Sequence, residues 1–271
     1  MKLANGFFGV AAATLSMLGA TAVHADTVLI TGSNQGIGLA LAKGYAAKGW
    51  TVIATHRRDT TPDTLAALEK QYPGKVHAEK MDVTDDAQIK ALAAKMKGQP
   101  IDVLLNNAAL IRYAPVSDQT PTGGNAGQLF GTLDYKQLDE FVHTNVAGPL
   151  KITEAFIDNV RVSKQKKIIA ISSAAGSITR RPLGANHYWY YITKAAENQA
   201  MHMLTVQFEK EPITVAMFHP GGVQVESFGD IKLPGFIAPE VAADKLINTI
   251  NGLTKKDSGR FMQNDGTDHP W

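Results

Sequence analysis

The 271 residues include no cysteine, and that absence alone removes disulfides, thiol nucleophiles and thiolate metal sites. Charge of one sign is scarce too. The 27 basic and 25 acidic residues leave a formal net charge of +2, which gives no electrostatic case for nucleic acid as a partner. The short basic run Lys164, Lys166 and Lys167 leads straight into Ile168-Ile169-Ala170-Ile171, as a solvated strand entry does. The eight histidines are scattered, with no pair at ligand spacing on a predicted helix, so no metal site is expected. No repeat or low-complexity linker divides the chain. Its hydrophobic fraction of 44% is that of a globular protein with a large core.

The first 25 residues differ in kind. Lys2 precedes an uncharged run from Gly6 to Val23, followed by His24-Ala25 and then Asp26. A basic start, an apolar centre and small residues three and one positions before a cut describe a secretory signal peptide. This reading places cleavage after Ala25, leaves 26–271 as the mature domain, and expects a periplasmic or secreted protein. The alternative is a retained anchor or a helix packed on the domain, in a cytoplasmic or membrane-associated protein. The Ala, Gly, Thr and Ser of the run make a weak anchor.

Beyond residue 25, short apolar runs alternate with segments of helical period. Strands are predicted at 27–31, 51–55, 75–80, 101–105, 166–171, 213–218 and 259–262, and helices at 36–48, 62–71, 84–97, 134–160, 188–210 and 239–250. Val103-Leu104-Leu105 and Ile168-Ile169-Ala170-Ile171 are apolar on both faces, as strands between two helix layers must be. The pattern predicts a single α/β domain, a doubly wound parallel sheet of seven strands with right-handed crossovers. The segment 112–132, rich in Pro and Gly, is long for a connection without structure and is expected to be functional.

The turn after the first strand reads Thr31-Gly32-Ser33-Asn34-Gln35-Gly36-Ile37-Gly38. In this fold the first strand-to-helix turn is where a dinucleotide pyrophosphate meets a helix N-terminus, and glycines let backbone and ligand come close. The spacing here is Gly-x-x-x-Gly-x-Gly rather than Gly-x-Gly-x-x-Gly. Further along stand Asp82-Val83, Asn106-Asn107-Ala108-Ala109, Thr144-Asn145-Val146, Ser172-Ser173, Tyr190-x-x-x-Lys194 and Pro220-Gly221-x-Val223, in that order. With these motifs the chain resembles the short-chain dehydrogenases/reductases from Thr27 onward. Phe130-Gly131-x-Leu133-Asp134 and Asn145-Val146-x-Gly148-Pro149 look most like the C-factor-like branch. Two departures stand out: Ala109 replaces the last glycine of Asn-Asn-Ala-Gly, and Val225 stands where a threonine is usual.

The resemblance implies a Rossmann domain and an NAD(P)-dependent enzyme that interconverts a carbonyl and a secondary alcohol. It carries cofactor contacts to Gly32, Ser33, Asn34, Gln35, Gly36, Ile37, Gly38, Asp82, Val83, Asn107, Ala108, Pro220, Gly221 and Val223, besides Tyr190 and Lys194. It makes Tyr190 the general acid in reduction, Lys194 the group that holds the ribose and eases ionisation, Ser173 the donor to the substrate oxygen, and Asn145 the holder of a relay water. The chemistry is consistent with those roles. A free phenol titrates near about 10 and needs a neighbouring cation to exchange protons at neutral pH. Of the tyrosines at 188, 190 and 191, only Tyr190 has a lysine four residues on. Tyr191 is expected to point about 100° away from it.

The second strand ends His56-Arg57-Arg58, where NAD enzymes carry an acid for the ribose 2′-hydroxyl. Arg57 suits a 2′-phosphate, so NADP(H) is the expected cofactor and NAD(H) the second option. Expected partners are a small carbonyl or alcohol substrate and further copies of the chain, as a homodimer or homotetramer. A competing reading is a cofactor-binding signalling or scaffold protein with a vestigial site. The intact Ser-Tyr-Lys-Asn set argues against it. Trp271, directly after Pro270, is expected to dock at the pocket mouth or on a second subunit.

Overall fold

The computed structural model describes residues 25–112, 127–180, 187–226, 232 and 234–271. Residues 1–24 of the expected leader therefore lie outside the described residues, as do most of 112–132 and parts of the later loops. Seven strands, β1 (Thr27–Ile30), β2 (Thr51–His56), β3 (Val76–Lys80), β4 (Val103–Asn106), β5 (Lys167–Ile171), β6 (Thr214–His219) and β7 (Phe261–Gln263), lie in the order β3-β2-β1-β4-β5-β6-β7. Every pairing is parallel. Chain order reverses between β1 and β4, which opens a crevice at their carboxyl ends, the place where such sheets bind ligands.

Successive side chains of a strand point to opposite faces, and here both faces are apolar. Val28, Ile30, Val103, Leu105 and Ile169 pack under α1 (Gly36–Ala47), α2 (Asp63–Gln71) and α7 (Pro239–Gly252). Leu29, Leu104 and Ile168 join the opposite cluster with α3 (Asp86–Lys95), α5 (Gly148–Arg161) and α6 (Tyr188–Gln207). A side chain at Gly44 would lie 2.6 Å from Ile247 Cδ1, so that glycine sets how closely α1 approaches α7.

The predicted helix 134–160 is not one helix. It is α4 (Tyr135–Val142), a π-helical turn His143–Ala147 and then α5. Pro149 lacks an amide hydrogen and crowds the preceding turn, so a regular ladder cannot pass through it. The wider turn falls on Asn145. Several strand ends also shift by a residue or two. Lys166 has φ +53°, outside the β region, so β5 starts after it, and Gly259, at φ +94°, turns the chain before β7.

At the amino edge of the sheet, buried Asp102 accepts hydrogen bonds from the Thr27 amide at 2.9 Å, Lys164 at 3.0 Å and Gln165 at 3.1 Å. Lys167 Nζ beside it donates to Gln165 Oε1 at 2.8 Å and Asn251 O at 2.9 Å. After β7 the chain folds back: the His269 amide donates to Phe261 O at 2.8 Å. The Trp271 main-chain oxygen accepts from the Thr179 amide at 2.7 Å and from Ser177 Oγ at 3.1 Å. The tail is thus docked, on the loop that follows Ser173.

Candidate active site

The loop after β1 is a cradle that side chains would fill. Gly32 and Gly36 have φ of +68° and +54°, and a Cβ on Gly38 would lie 2.2 Å from Gly32 O and 2.5 Å from Asn107 Nδ2. Asn107 Nδ2 donates to Thr31 O at 2.9 Å and Gly32 O at 3.1 Å, and Thr31 Oγ1 accepts from the amides of Asn107 and Ala108 at 2.9 and 3.0 Å. These bonds brace the loops of β1 and β4 against each other, and no side chain caps α1. The Ser33 side chain turns inward, bonding Ile30 O at 2.8 Å, so it shapes the loop rather than lining the cavity.

A cavity of about 920 Å³ runs from this cradle past Arg57, Arg58, Asp82 and Val83 to Ser173, Tyr190 and Lys194, with Pro220, Gly221 and Val223 on its floor. Asn34, Gln35, Ile37 and Ala108 line it as well. Four buried polar groups at this end of the sheet have no hydrogen-bond partner among the described residues: Thr55 Oγ1, the Asn106 amide, Ser172 Oγ and His219 Nδ1, of which Ser172 and His219 belong to residues that line the cavity. Each sits at the carboxyl end of a strand. His56 is buried, Asp59 is engaged by Lys80 at 2.8 Å, and Arg57 is exposed along the cleft. Glycine cradle, orphaned strand-end groups and an unopposed guanidinium fit a nicotinamide dinucleotide.

At the other end, β5 delivers Ser173 into a short 3₁₀ turn, Ala174–Gly176, where its hydroxyl accepts from the Ala175 amide at 3.1 Å. A Cβ on Gly176 would lie 2.6 Å from Asn198 Nδ2, so the turn lies hard against α6. The first turn of α6 is held by Trp189 Nε1 bonding Gly127 O at 2.9 Å and the Tyr190 amide bonding Gln128 Oε1 at 3.3 Å. Lys194 lies one turn on, its Nζ 5.9 Å from the centroid of the Tyr190 ring. Burial pushes the Tyr190 phenol up to about 12, against the hydrogen bond of Ser173, with Glu197 and Tyr191 adding to the rise. Tyr191 lines the same cavity. Its expected separation of about 100° from Tyr190 does not take it out of so wide a cleft.

Asn145 is wholly buried in the π turn. Its Oδ1 accepts from the Leu110 amide at 2.6 Å, and its Nδ2 donates to Leu110 O at 3.0 Å and Thr193 Oγ1 at 3.1 Å. Both amide hydrogens are thereby committed, so its side chain braces the loop after β4 against α6 instead of facing the cavity.

The profile of the short chain dehydrogenase family matches residues 26–233. The chain belongs to the short-chain dehydrogenase family. It is 31% identical over 251 residues to the 1-hydroxy-2-glutathionyl-2-methyl-3-butene dehydrogenase of Rhodococcus sp. (strain AD45), covering 91% of this chain and 100% of that one. The C-signal protein of Myxococcus xanthus is 29% identical over 184 residues, 68% of this chain and 100% of its own, which agrees with the C-factor-like motifs. Among solved structures, NADPH-bound carbonyl reductase from chicken fatty liver superposes with a TM-score of 0.79 at 27% identity, covering 92% of this chain and 100% of that one. A short-chain dehydrogenase/reductase from Burkholderia multivorans with bound NADP gives 0.77 at 25%, over 91% and 100%. This short-chain dehydrogenase is therefore an NAD(P)-dependent oxidoreductase with a Rossmann fold.

Two carboxylates of this short-chain dehydrogenase escape the motif reading. Glu226 Oε1 accepts from the Gly36 amide at 3.1 Å, so an anion of the chain itself sits at the N-terminus of α1. No linear pattern pairs residues 190 positions apart. Glu197 lies three residues after Lys194 and bonds it; that spacing was visible in the sequence, but its burial was not.

Proposed function

We propose that the protein is an NADP(H)-dependent carbonyl reductase for small aldehydes or ketones. The observation that carries this reading is the single cavity shared by the glycine cradle, Arg57 and the Ser173–Tyr190–Lys194 group. NADPH, when bound, would supply a hydride for the carbonyl carbon. Ser173 holds the carbonyl oxygen and Tyr190 gives it the phenolic proton as negative charge develops there, leaving the alcohol. Lys194 orients the ribose and stabilises the phenolate that remains. Asn145 keeps the helix bearing Tyr190 in register with the loop after β4.

Arg57 supports NADP(H) over NAD(H), and the NADP-bound relatives point the same way. Arg57→Ala is expected to weaken NADPH binding by about 1.5–3 kcal/mol, the range for a hydrogen bond to a charged group, and to leave NADH nearly unchanged. Equal losses would remove Arg57 from the 2′-phosphate. The test of the activity itself is NADPH consumption with a panel of aldehydes and ketones, run beside Tyr190→Phe. Turnover that survives in that variant overturns the assignment.

The assembly is a homodimer or homotetramer in this reading, supported by exposed Ile192, Met203 and Val206 on α6 and Tyr135 on α4. Sedimentation of the purified protein checks it; a monomer at micromolar concentration contradicts it. The leader at 1–25 directs export, and N-terminal mass determination on protein from the native host decides between a cut after Ala25 and a retained leader.

A further inference from the structure

The pair Lys194–Glu197 is unusual in being sealed from water at the back of a proton-exchange site. The side chains are 1% and 2% exposed, and Lys194 Nζ lies 2.7 Å from Glu197 Oε2. Nζ also donates to Ile171 O at 2.9 Å, which leaves one N–H for a ribose hydroxyl. A lysine beside a phenol ordinarily lowers the phenol's proton affinity. A carboxylate on the far side of that lysine cancels much of its field, because at these separations in a low-dielectric interior the phenolate feels both charges. Burial raises the Glu197 carboxyl and Lys194 pulls it back, and the short contact is that of a charge-assisted hydrogen bond.

We propose that Glu197 is a positioning residue that acts through Lys194 to keep Tyr190 protonated, and so poises the enzyme for carbonyl reduction rather than alcohol oxidation. In reduction Tyr190 must arrive as the phenol and lose its proton to the carbonyl oxygen; in oxidation it must arrive as phenolate. The titratable groups around Tyr190 among the described residues are few. Lys194, Glu197 and Tyr191 stand on its own helix, His187 at the start of that helix, and His219 at the end of β6 across the cavity. β5 and its turn present the Ile171 carbonyl and the Ser173 hydroxyl, and the π turn presents Asn145 bonded to Thr193. Arg180 and Glu226 line the same cavity, and of the groups on the helix of Tyr190, Glu197 is the carboxyl, bonded to Lys194. The inference rests on Tyr190 being the proton donor, and its test does not require turnover.

Glu197→Gln keeps the shape and the acceptor while removing the charge. Phenolate absorbance is followed against pH in the protein without nucleotide, with Tyr190→Phe and the double variant subtracted to isolate Tyr190. The expected result is a fall in the Tyr190 midpoint by at least about one pH unit, a tenfold change in proton affinity. Alcohol oxidation should then reach half-maximum at correspondingly lower pH, with the NADPH dissociation constant within about twofold of the parent. An unmoved midpoint with a lowered melting temperature would make the pair merely structural and overturn the proposal. Should the Gln variant fail to fold, the parent alone decides: a Tyr190 midpoint at or below that of a free phenol, about 10, overturns it equally. A protein that titrates as expected yet reduces no carbonyl compound would sink the proposed activity and leave this inference standing.

Discussion

The two edges of the sheet obey opposite rules. At the amino edge, Asp102 takes three main-chain amides and Lys167 is bound on two sides. At the carboxyl edge, Thr55, Asn106, Ser172 and His219 hold buried polar atoms without partners among the described residues. A buried polar group left unmatched costs on the order of 1–3 kcal/mol. One edge therefore contributes stability, while the other holds groups in reserve for a ligand. The difference marks the functional end of the fold before any motif is consulted.

Substitutions should separate the two edges cleanly. The largest effect is expected at the carboxyl edge: Tyr190→Phe should lower kcat about a thousandfold, the scale of a lost general acid, with an unchanged melting temperature. Asp102→Ala should do the reverse. Its loss leaves three amides unmatched and should lower unfolding free energy by about 3 kcal/mol in urea melts, while kcat per folded molecule stays put. A catalytic defect there would erase the distinction between the edges.

A smaller effect is expected at Glu226. Its carboxylate occupies the helix end where a pyrophosphate would bind, and Glu226→Gln should tighten NADPH binding about threefold, the scale of one charge at a helix terminus. Fluorescence titration reads it, and weaker binding would show Glu226 to be a ligand rather than a competitor. The last concerns pH. Burial lowers His219 from its ordinary 6.5 to about 4, with His269 and Arg180 adding to the fall. The unfolded chain therefore takes up a proton first, and the His219 contribution to stability is full above 6.5 and lost as pH falls toward 4. His219→Asn should flatten the stability profile across that window; an identical slope would assign the dependence to other groups.

Much of this was legible in the sequence because it is periodic. Runs such as Val28-Leu29-Ile30 alternate between two buried faces, and the order of strands and helices leaves few topologies. The glycine loop, Ser173, Tyr190 and Lys194 were legible because their spacing is local or their motifs ordered. The break of 134–160 at His143–Ala147 was not read, although Pro149 stood in plain view. The motifs make Ser33 a cofactor contact and Asn145 the holder of a relay water, but their side chains bond within the protein, which no motif encodes. Asp102 and Glu226 were invisible for a different reason. Each acts on amides distant in the chain, at separations that no periodicity encodes.

The docked tail gives the protein a built-in optical probe. Of its three tryptophans, Trp50 and Trp189 are 8% and 3% exposed, whereas Trp271 is 40% exposed and stacks edgewise on His202. Its main-chain oxygen is stitched to Ser177 and Thr179, a few residues beyond Ser173. Any loosening of the serine loop must therefore move that indole relative to the imidazole beside it. Emission from Trp271, isolated by replacing the other two tryptophans with phenylalanine, would report in real time on the loop that carries the substrate-binding hydroxyl.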